Sequence, residues 1–544
     1  MTMKPERIQD RRKRALSRGT DADRRRFFRY KVDFPVRVTV GQGKDQQVFE
    51  GTAADLSEGG LRLEHVVLPE GTREVKLRFA VPEGKLPEGF DRHEFQLEGE
   101  VRRADPGEAV VQVAFEETLG QHLARRSWAF LKVLAVFVGF ISVSLIVLIK
   151  HDNWYYFWFD APVFLYSLAV GIYLLCRFVF AGMYRAPRET GATPEVSVII
   201  PAHNEEVHIR RTIRDIYESR YPADKLQVVV VNDGSTDGTQ KEIEASQQEY
   251  PELIALEFKK SVGKRHALAA GTRMTDSEIV VYVDSDSFLD PDGLARIVEG
   301  FSDKRVAAVT GHCDVENTLE NMLTKMQAVR YFLGFRIMKA AESLFDSVTC
   351  LSGPFAAYRR SVLIPRMEEW LGQQFMGQPA TFGDDRSMTN ALLRDGFAVL
   401  YDSRARCTTI VPETYRGFLR QQMRWKRSWF RESLRACTFI WRRQPFMWLS
   451  FYAGFLLPLL GPAVVFRALL YIPLFQQGTP LVYLTGILLM SMLMSASYLL
   501  VRKSRLWIYG VHFCFFYLLV LIWQLPWAVC TFWSPDWGTR KGRI

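Results

Sequence analysis

At 544 residues the chain is longer than one hydrophobic core usually fills, so at least two folded units are expected beside any membrane part. Hydrophobic residues make up 48% and aromatic residues 13%, and the formal charge of +10 gathers around residues 11–29 and beside the apolar runs. That clustering favours anionic lipid headgroups or phosphate ligands, and without a nucleic-acid-binding motif nucleic acid is not an expected partner.

The N-terminus is basic and polar with no apolar run behind it, so insertion into a membrane is expected from internal segments and not from a cleavable signal. Residues 22–118 alternate apolar with polar residues between Gly and Pro turns, as in 34–40 and 110–115, which predicts a small β-barrel. Residues 128–149 and 161–182 are each long and apolar enough to span a bilayer, with the aromatic stretch 154–158 between them as an interfacial belt. Arg125 and Arg126 before this pair, and Arg185 and Arg188 after it, place both flanks in the cytoplasm.

Residues 195–440 alternate short apolar runs with helical patterns. The runs 196–200, 228–231 and 279–283 are expected as buried parallel strands of a doubly wound α/β domain. Three further apolar stretches, 446–475, 480–501 and 506–533, predict spans or in-plane helices. Their charges conflict with a simple count, because Arg502–Arg505 and Arg540–Arg543 both favour the cytoplasm, whereas three crossings would separate the tail from it. Either the Pro-broken 506–533 is re-entrant or paired, or the tail lies outside. Seven scattered cysteines without a CxxC spacing are expected as reduced thiols.

In an open α/β sheet, ligands bind beyond the carboxyl ends of the strands. Three predicted strands run into polar clusters there: residues 201–205, residues 232–237, and Asp284-Ser-Asp286. A single cluster such as 233–236 is equally well a turn or helix cap, but three at one edge point to a site. Asp284 and Asp286, one residue apart, can share Mg²⁺ or Mn²⁺, which completes its shell with diphosphate oxygens and neutralises a departing nucleoside diphosphate. Asp385, at the start of a helical pattern, is the candidate general base toward an acceptor hydroxyl. A single base with no second carboxylate nucleophile implies direct displacement with inversion. Gln421, Arg424 and Trp425 share a basic amphipathic segment; they either anchor it at the bilayer surface or offer a stacking face and a cation to the substrates.

The ordered set Asp233, Asp284 and Asp286, residues 383–386, and Gln421-x-x-Arg424-Trp425 resembles the processive family-2 glycosyltransferases, whose catalytic domain has the Rossmann-like α/β GT-A fold. Residues 350–355 with Tyr358 and Arg359, and Trp537-Gly-Thr-Arg540, are more similar to the hyaluronan and chitin-oligosaccharide synthase branch than to cellulose synthases. The resemblance implies that Asn204, Glu205 and Asp233 contact the nucleoside and that Lys264 contacts uracil or phosphate. It gives Asp284 and Asp286 to diphosphate and metal, and Gly353 and Pro354 to the shape of the donor or acceptor pocket. Asp385 becomes the base, and Gln421, Arg424 and Trp425 the acceptor and diphosphate site. Trp537 and Arg540, in the tail 534–544, would close over the nucleotide.

Arg25 and Arg29 as RxxxR, followed by Asp55, Ser57 and Gly60 as DxSxxG, make residues 22–118 similar to a PilZ domain. Guanidiniums clamp phosphates and stack on purines, while a polar turn offers hydrogen bonds to a base edge. Binding of cyclic di-GMP as an allosteric activator, with Arg24 also in contact, is what this resemblance implies.

The expected whole is a multi-pass inner-membrane enzyme with both soluble domains in the cytoplasm. It would take a UDP-sugar, extend a polysaccharide acceptor and contact membrane lipids. A non-processive transferase acting on a lipid carrier, and an inactive cyclic di-GMP receptor, are the alternatives.

Overall fold

The computed structural model describes residues 29–41, 47–57, 59–69, 71–81, 94–105, 109–116, 119, 160–502 and 504–534. The expected span 128–149, the aromatic stretch 154–158, Arg24 and Arg25, and the tail with Trp537 and Arg540 lie outside these residues. The chain divides into two compact units, one holding the N-terminal barrel and the other the α/β domain with the apolar helices.

In the first unit, β1 (Arg29–Val40), β2 (Gln47–Ser57), β3 (Gly60–Glu64), β4 (Glu74–Ala80), β5 (Glu94–Asp105) and β6 (Val110–Phe115) close a barrel in the order β1-β2-β3-β6-β5-β4. Period-two patterning dictates which side chains enter it. Along β4, Val75, Leu77 and Phe79 are buried while Glu74, Lys76 and Arg78 are exposed. Phe79 stacks with Phe34, Phe95 and Phe115, ring centroids 5.7, 5.4 and 6.2 Å apart, and fills the interior.

In the second unit, β7 (Val196–Ala202), β8 (Leu226–Asn232), β9 (Ile254–Glu257), β10 (Ile279–Val283), β11 (Ser287–Leu289), β12 (Val306–Val315) and β13 (Phe355–Arg359) build most of one sheet. A two-residue ribbon, β14 (Gln374–Phe375) and β15 (Gln378–Pro379), stands apart, and β16 (Ala398–Thr409) completes the eight-stranded order β11-β16-β12-β13-β10-β7-β8-β9. β10, β7, β8 and β9 are parallel, and every residue of β7 and β10 is buried, as covering helices on both faces require. The three runs expected as parallel strands are parallel, while β13, which the sequence did not single out as a strand, runs antiparallel to both β10 and β12. The reversal matters for the site. It pairs Phe355 with Val283, so residues leading into β13 meet the carboxyl end of β10.

Two described helices are long and apolar enough to cross a membrane, residues 161–183 and 445–475. The first, α1 (Ala161–Met183), starts at Asp160, whose carboxylate accepts from Val163 N at 3.2 Å. Arg467 grips the same carboxylate through two nitrogens. Residues 481–502 form a helix whose apolar run is shorter, and 506–533 is not one continuous span. It breaks into a helix at Trp507–Phe516, a π-helical stretch at Tyr517–Leu521 and a short helix at Gln524–Val529 that contains Pro526.

Candidate active site

The site grows from loops at the carboxyl edge of β7, β8 and β10. After β7, Asn204 takes φ of 58°, a left-handed conformation that Asn tolerates, and its Oδ1 accepts from Thr236 N at 2.8 Å. Glu205 N donates to Thr239 Oγ1 at 2.7 Å, so the first two loops are stitched together. Asp233 is almost wholly buried, and its carboxylate accepts from Ser261 Oγ (2.7 Å), Val262 N (2.7 Å) and Gly263 N (3.0 Å). Its charge is therefore spent on shaping the 261–263 turn, a use the sequence did not announce. Gly234 beside it has φ of 64°, and a Cβ there would come within 2.5 Å of Ser261 N.

That turn opens the helix α2 (Lys264–Arg273) and sends the Lys264 ammonium between two acids, in hydrogen bond with Asp284 and 3.6 Å from Asp384. Burial opposes the charge on Lys264, but Asp284 and Asp384 outweigh it and raise its pKa. Gly353, delivered by the antiparallel β13, sits against this pair, where a Cβ would lie 3.1 Å from Asp284 Oδ2 and 3.2 Å from Lys264 Nζ.

Asp286 receives a weak hydrogen bond from Thr409 Oγ1 at 3.4 Å. Its carboxyl is pushed up to about 6, first by burial and then by the Asp284 charge, with Lys264 opposing. A pair of carboxylates that offers only oxygen ligands suits a hard divalent cation. Among the described residues no group of three or more His, Cys, Asp or Glu side chains could hold a metal, so a cation at this pair would need ligands from the substrate.

Asp384 and Asp385 occupy the first turn of a helix, α3 (Asp384–Arg394), where the helix dipole favours negative charge. Asp385 Oδ1 accepts from Arg386 N at 2.8 Å and Oδ2 from Cys350 Sγ at 3.4 Å. Burial first, and the Asp384 charge second, hold the Asp385 carboxyl above the usual carboxylate range. Asp384 goes the other way: burial is outweighed by Lys264, Arg265 and Arg424. The two neighbours are thus split, one kept ionised and one made more basic.

The long helix α4 (Tyr415–Cys437) starts at Thr414, whose Oγ1 accepts from Gly417 N at 3.2 Å. Arg431 and Glu432 on it are buried within the protein, so it is not merely a bilayer-surface anchor. Gln421, Arg424 and Trp425, at i, i+3 and i+4, share one face and line the same cleft as Asp284, Asp286, Pro354 and Asp385. The cleft has a volume of about 1480 Å³ and continues to Gly454, Pro458, Tyr517 and Leu525 among the apolar helices. Sequence reasoning gave no role to Thr409 or to the buried Arg265, which donates to Gln373 Oε1 (2.7 Å) and the Phe382 carbonyl (3.3 Å). Neither carries a local signal, because the partners of each lie far along the chain.

The glycosyltransferase-like family 2 profile matches residues 194–428, and the PilZ domain profile matches residues 23–127. An N-acetylglucosaminyltransferase of Rhizobium meliloti is 33% identical over 295 residues, which cover 53% of this chain and 69% of that protein. The chain belongs to the family-2 glycosyltransferases. A hyaluronan synthase of Streptococcus pyogenes is 29% identical over 406 residues, 73% of this glycosyltransferase and 96% of the relative. Among solved structures, the mannosyltransferase PcManGT of Pyrobaculum calidifontis, in complex with GDP-Man and Mn²⁺, is similar at a TM-score of 0.46 and 22% identity, over 65% of this chain and 98% of that one.

In the PilZ domain of this glycosyltransferase, β1 pairs with the strand that carries Asp55 and Ser57. Arg29 lies directly across from Ser57 and Lys31 across from Asp55. Ser57 is buried and its Oγ donates to the Gly60 carbonyl at 3.0 Å, closing the β2–β3 turn. Gly60 packs so closely on β6 that a Cβ would come within 2.5 Å of the Val113 carbonyl oxygen. Asp55 pairs with Arg62 at 3.3 Å. Ser57 and Gly60 therefore shape the β2–β3 turn that follows Asp55.

Proposed function

We propose that this glycosyltransferase is a processive, inverting polysaccharide synthase of the inner membrane that uses a UDP-sugar and is activated by cyclic di-GMP. The observation that carries the reading is the convergence of Asp284, Asp286, Asp385 and the Gln421-x-x-Arg424-Trp425 face on one cleft that reaches the apolar helices. Lys264, Asn204 and Glu205 border the nucleotide end, and the turn held by Asp233 shapes it. Asp284 and Asp286 would hold Mg²⁺ or Mn²⁺, which when bound neutralises charge on the diphosphate leaving group.

Asp385 takes the proton of the acceptor hydroxyl as that oxygen bonds to the anomeric carbon. The bond from that carbon to the diphosphate oxygen breaks, UDP departs with the electron pair, and the new glycosidic bond has inverted configuration. Trp425 stacks the acceptor sugar and Arg424 faces the diphosphate. Trp537 and Arg540 are assigned to closing the nucleotide end. Continuity of the cleft with Gly454, Pro458 and Tyr517 supports passage of the polymer into the membrane part, and the hyaluronan synthase relative supports polymerisation over transfer to a lipid carrier. Positively charged flanks of the apolar segments favour soluble domains in the cytoplasm.

In the PilZ domain, Arg24, Arg25 and Arg29 clamp the phosphates of cyclic di-GMP while Asp55 addresses a base edge. The test offers a panel of UDP- and GDP-sugars to the purified full chain with Mg²⁺ or Mn²⁺, with and without cyclic di-GMP. Polymer of growing length on a sizing gel, faster with the dinucleotide and unresponsive in Arg25→Ala, is the expected result. Single-sugar transfer, or wild-type rates indifferent to the dinucleotide, would refute processivity or activation respectively.

A further inference from the structure

The apolar helix α1 carries a charge that the chemistry above does not use. Most of its side chains are exposed, and only Val163 and Arg177 are buried. A buried cation in an apolar helix is costly, so its partners point to what the helix is docked for. Arg177 Nη1 lies 3.3 Å from Glu342 Oε1 and donates to the Met338 carbonyl at 3.4 Å. Glu342 belongs to the short helix Ala340–Ser343, and just beyond it Phe345 meets Phe180 of α1 edge-on, ring centroids 5.0 Å apart.

Glu342 is a bridge. Its Oε1 faces α1, while its Oε2 accepts from Thr349 N (2.8 Å) and Thr349 Oγ1 (3.0 Å). Thr349 opens the stretch 349–353, which has no helix or strand of its own, so side chains set its path. Leu351 N donates to Thr389 Oγ1 (3.1 Å), Ser352 N to Thr310 Oγ1 (3.0 Å), and Lys339 Nζ to the Cys350 carbonyl. The stretch brings Cys350 to Asp385 Oδ2 and Gly353 to the Asp284–Lys264 pair. Thr389 also donates to the Asp385 carbonyl at 2.7 Å, which braces the stretch against the catalytic helix. Of these holding groups, only Glu342 is paired to α1 as well.

We propose that Arg177 is a positioning residue for catalysis: through Glu342 it fixes the 349–353 stretch beside Asp385, so turnover depends on the docked helix α1. This rests on the reading of Asp385 as the base. Arg386, next to that base, competes for the same carboxylate. Burial opposes the Arg386 charge, and Cys350, Asp385 and Glu342 together outweigh it. Without Arg177 the Glu342 carboxylate is drawn toward Arg386 alone and releases Thr349.

The experiment takes the full chain in detergent and reads amide hydrogen exchange beside UDP release. In Arg177→Gln the amides of 349–352 should exchange about tenfold or more faster, the size expected for losing hydrogen bonds to a charged group, while β7 and β10 keep their protection. The same variant should lose roughly 10- to 100-fold in kcat, as a misplaced base does, with donor KM nearly unchanged. Arg177→Lys keeps a cation opposite Glu342 and should retain part of both. Glu342→Gln should resemble Arg177→Gln, and the double variant should be no worse than either single, since a broken pair cannot be broken twice. A thermal unfolding curve like the wild type's identifies the variants that fold, and Glu342→Gln, which keeps the side-chain shape, suffices if Arg177→Gln does not.

Wild-type exchange at 349–352 in a folded variant would overturn the bridge, as would kcat losses that multiply in the double variant. A loss confined to donor KM would end it too. Absence of UDP release from every donor in the wild type would sink the synthase reading, a separate result, and the exchange measurement still decides the bridge.

Discussion

Gly383→Ala probes how the catalytic helix start is built. Gly383 has φ of 77°, and a Cβ there would lie 2.0 Å from Ser428 Oγ and 3.0 Å from Ser428 Cβ on α4. The left-handed conformation costs an L-residue about 1–2 kcal/mol. Forcing the methyl group against Ser428 adds roughly 1–3 kcal/mol of overpacking. The sum, about 2–5 kcal/mol, corresponds to a fall in apparent Tm on the order of 4–20 °C for a domain of this size. A shift of about 1 Å at the next two residues, Asp384 and Asp385, lowers the rate by roughly 100-fold. Ser428→Gly removes the two nearest atoms the methyl group meets and leaves Arg431 Nη2 at 3.3 Å, so in the double variant most of the overpacking should go and the backbone cost of about 1–2 kcal/mol persist. The assay is a double-mutant cycle of thermal unfolding and UDP release in detergent. Additive effects of the two substitutions, or wild-type stability in Gly383→Ala, would refute this account of the helix start.

Asp385→Asn should lower turnover by about 100- to 10,000-fold, the usual contribution of a positioned base, with an unchanged unfolding curve. Because burial and Asp384 raise the Asp385 pKa, the base gains its proton at higher pH than an ordinary carboxylate, so activity falls earlier on acidification. Asp384→Asn removes one of the two causes, and the acid limb of kcat/KM should move to lower pH; a limb that stays put would deny the coupling. Gly60→Ala should loosen the barrel by roughly 1–3 kcal/mol through the contact with the Val113 carbonyl, seen as faster hydrogen exchange in β3 and β6.

Strand periodicity and the polar clusters made the barrel, the α/β core and the site acids legible, because buried strands and strand-end loops leave local patterns. Asp284 and Asp286 needed nothing beyond their spacing and place at a strand end. The antiparallel β13 was not legible, since a short apolar run looks the same in either direction, and direction is set by what the connecting chain packs against. Lys264 was expected at a nucleotide and is found bridging Asp284 and Asp384, which only the converging loops could arrange. Asp233 looked like a ligand residue, yet its carboxylate is occupied by a turn about thirty residues away. Arg330 and Lys426 had no motif at all. In sequence each is an ordinary basic residue on a helix, and only packing α4 against the broken C-terminal apolar segment seats them, half-buried, in the cleft beside Trp425 and Tyr517. Local spacing thus determined which side chains could do chemistry, while long-range packing decided which of them remain available, because burial and partner charge belong to the folded state alone.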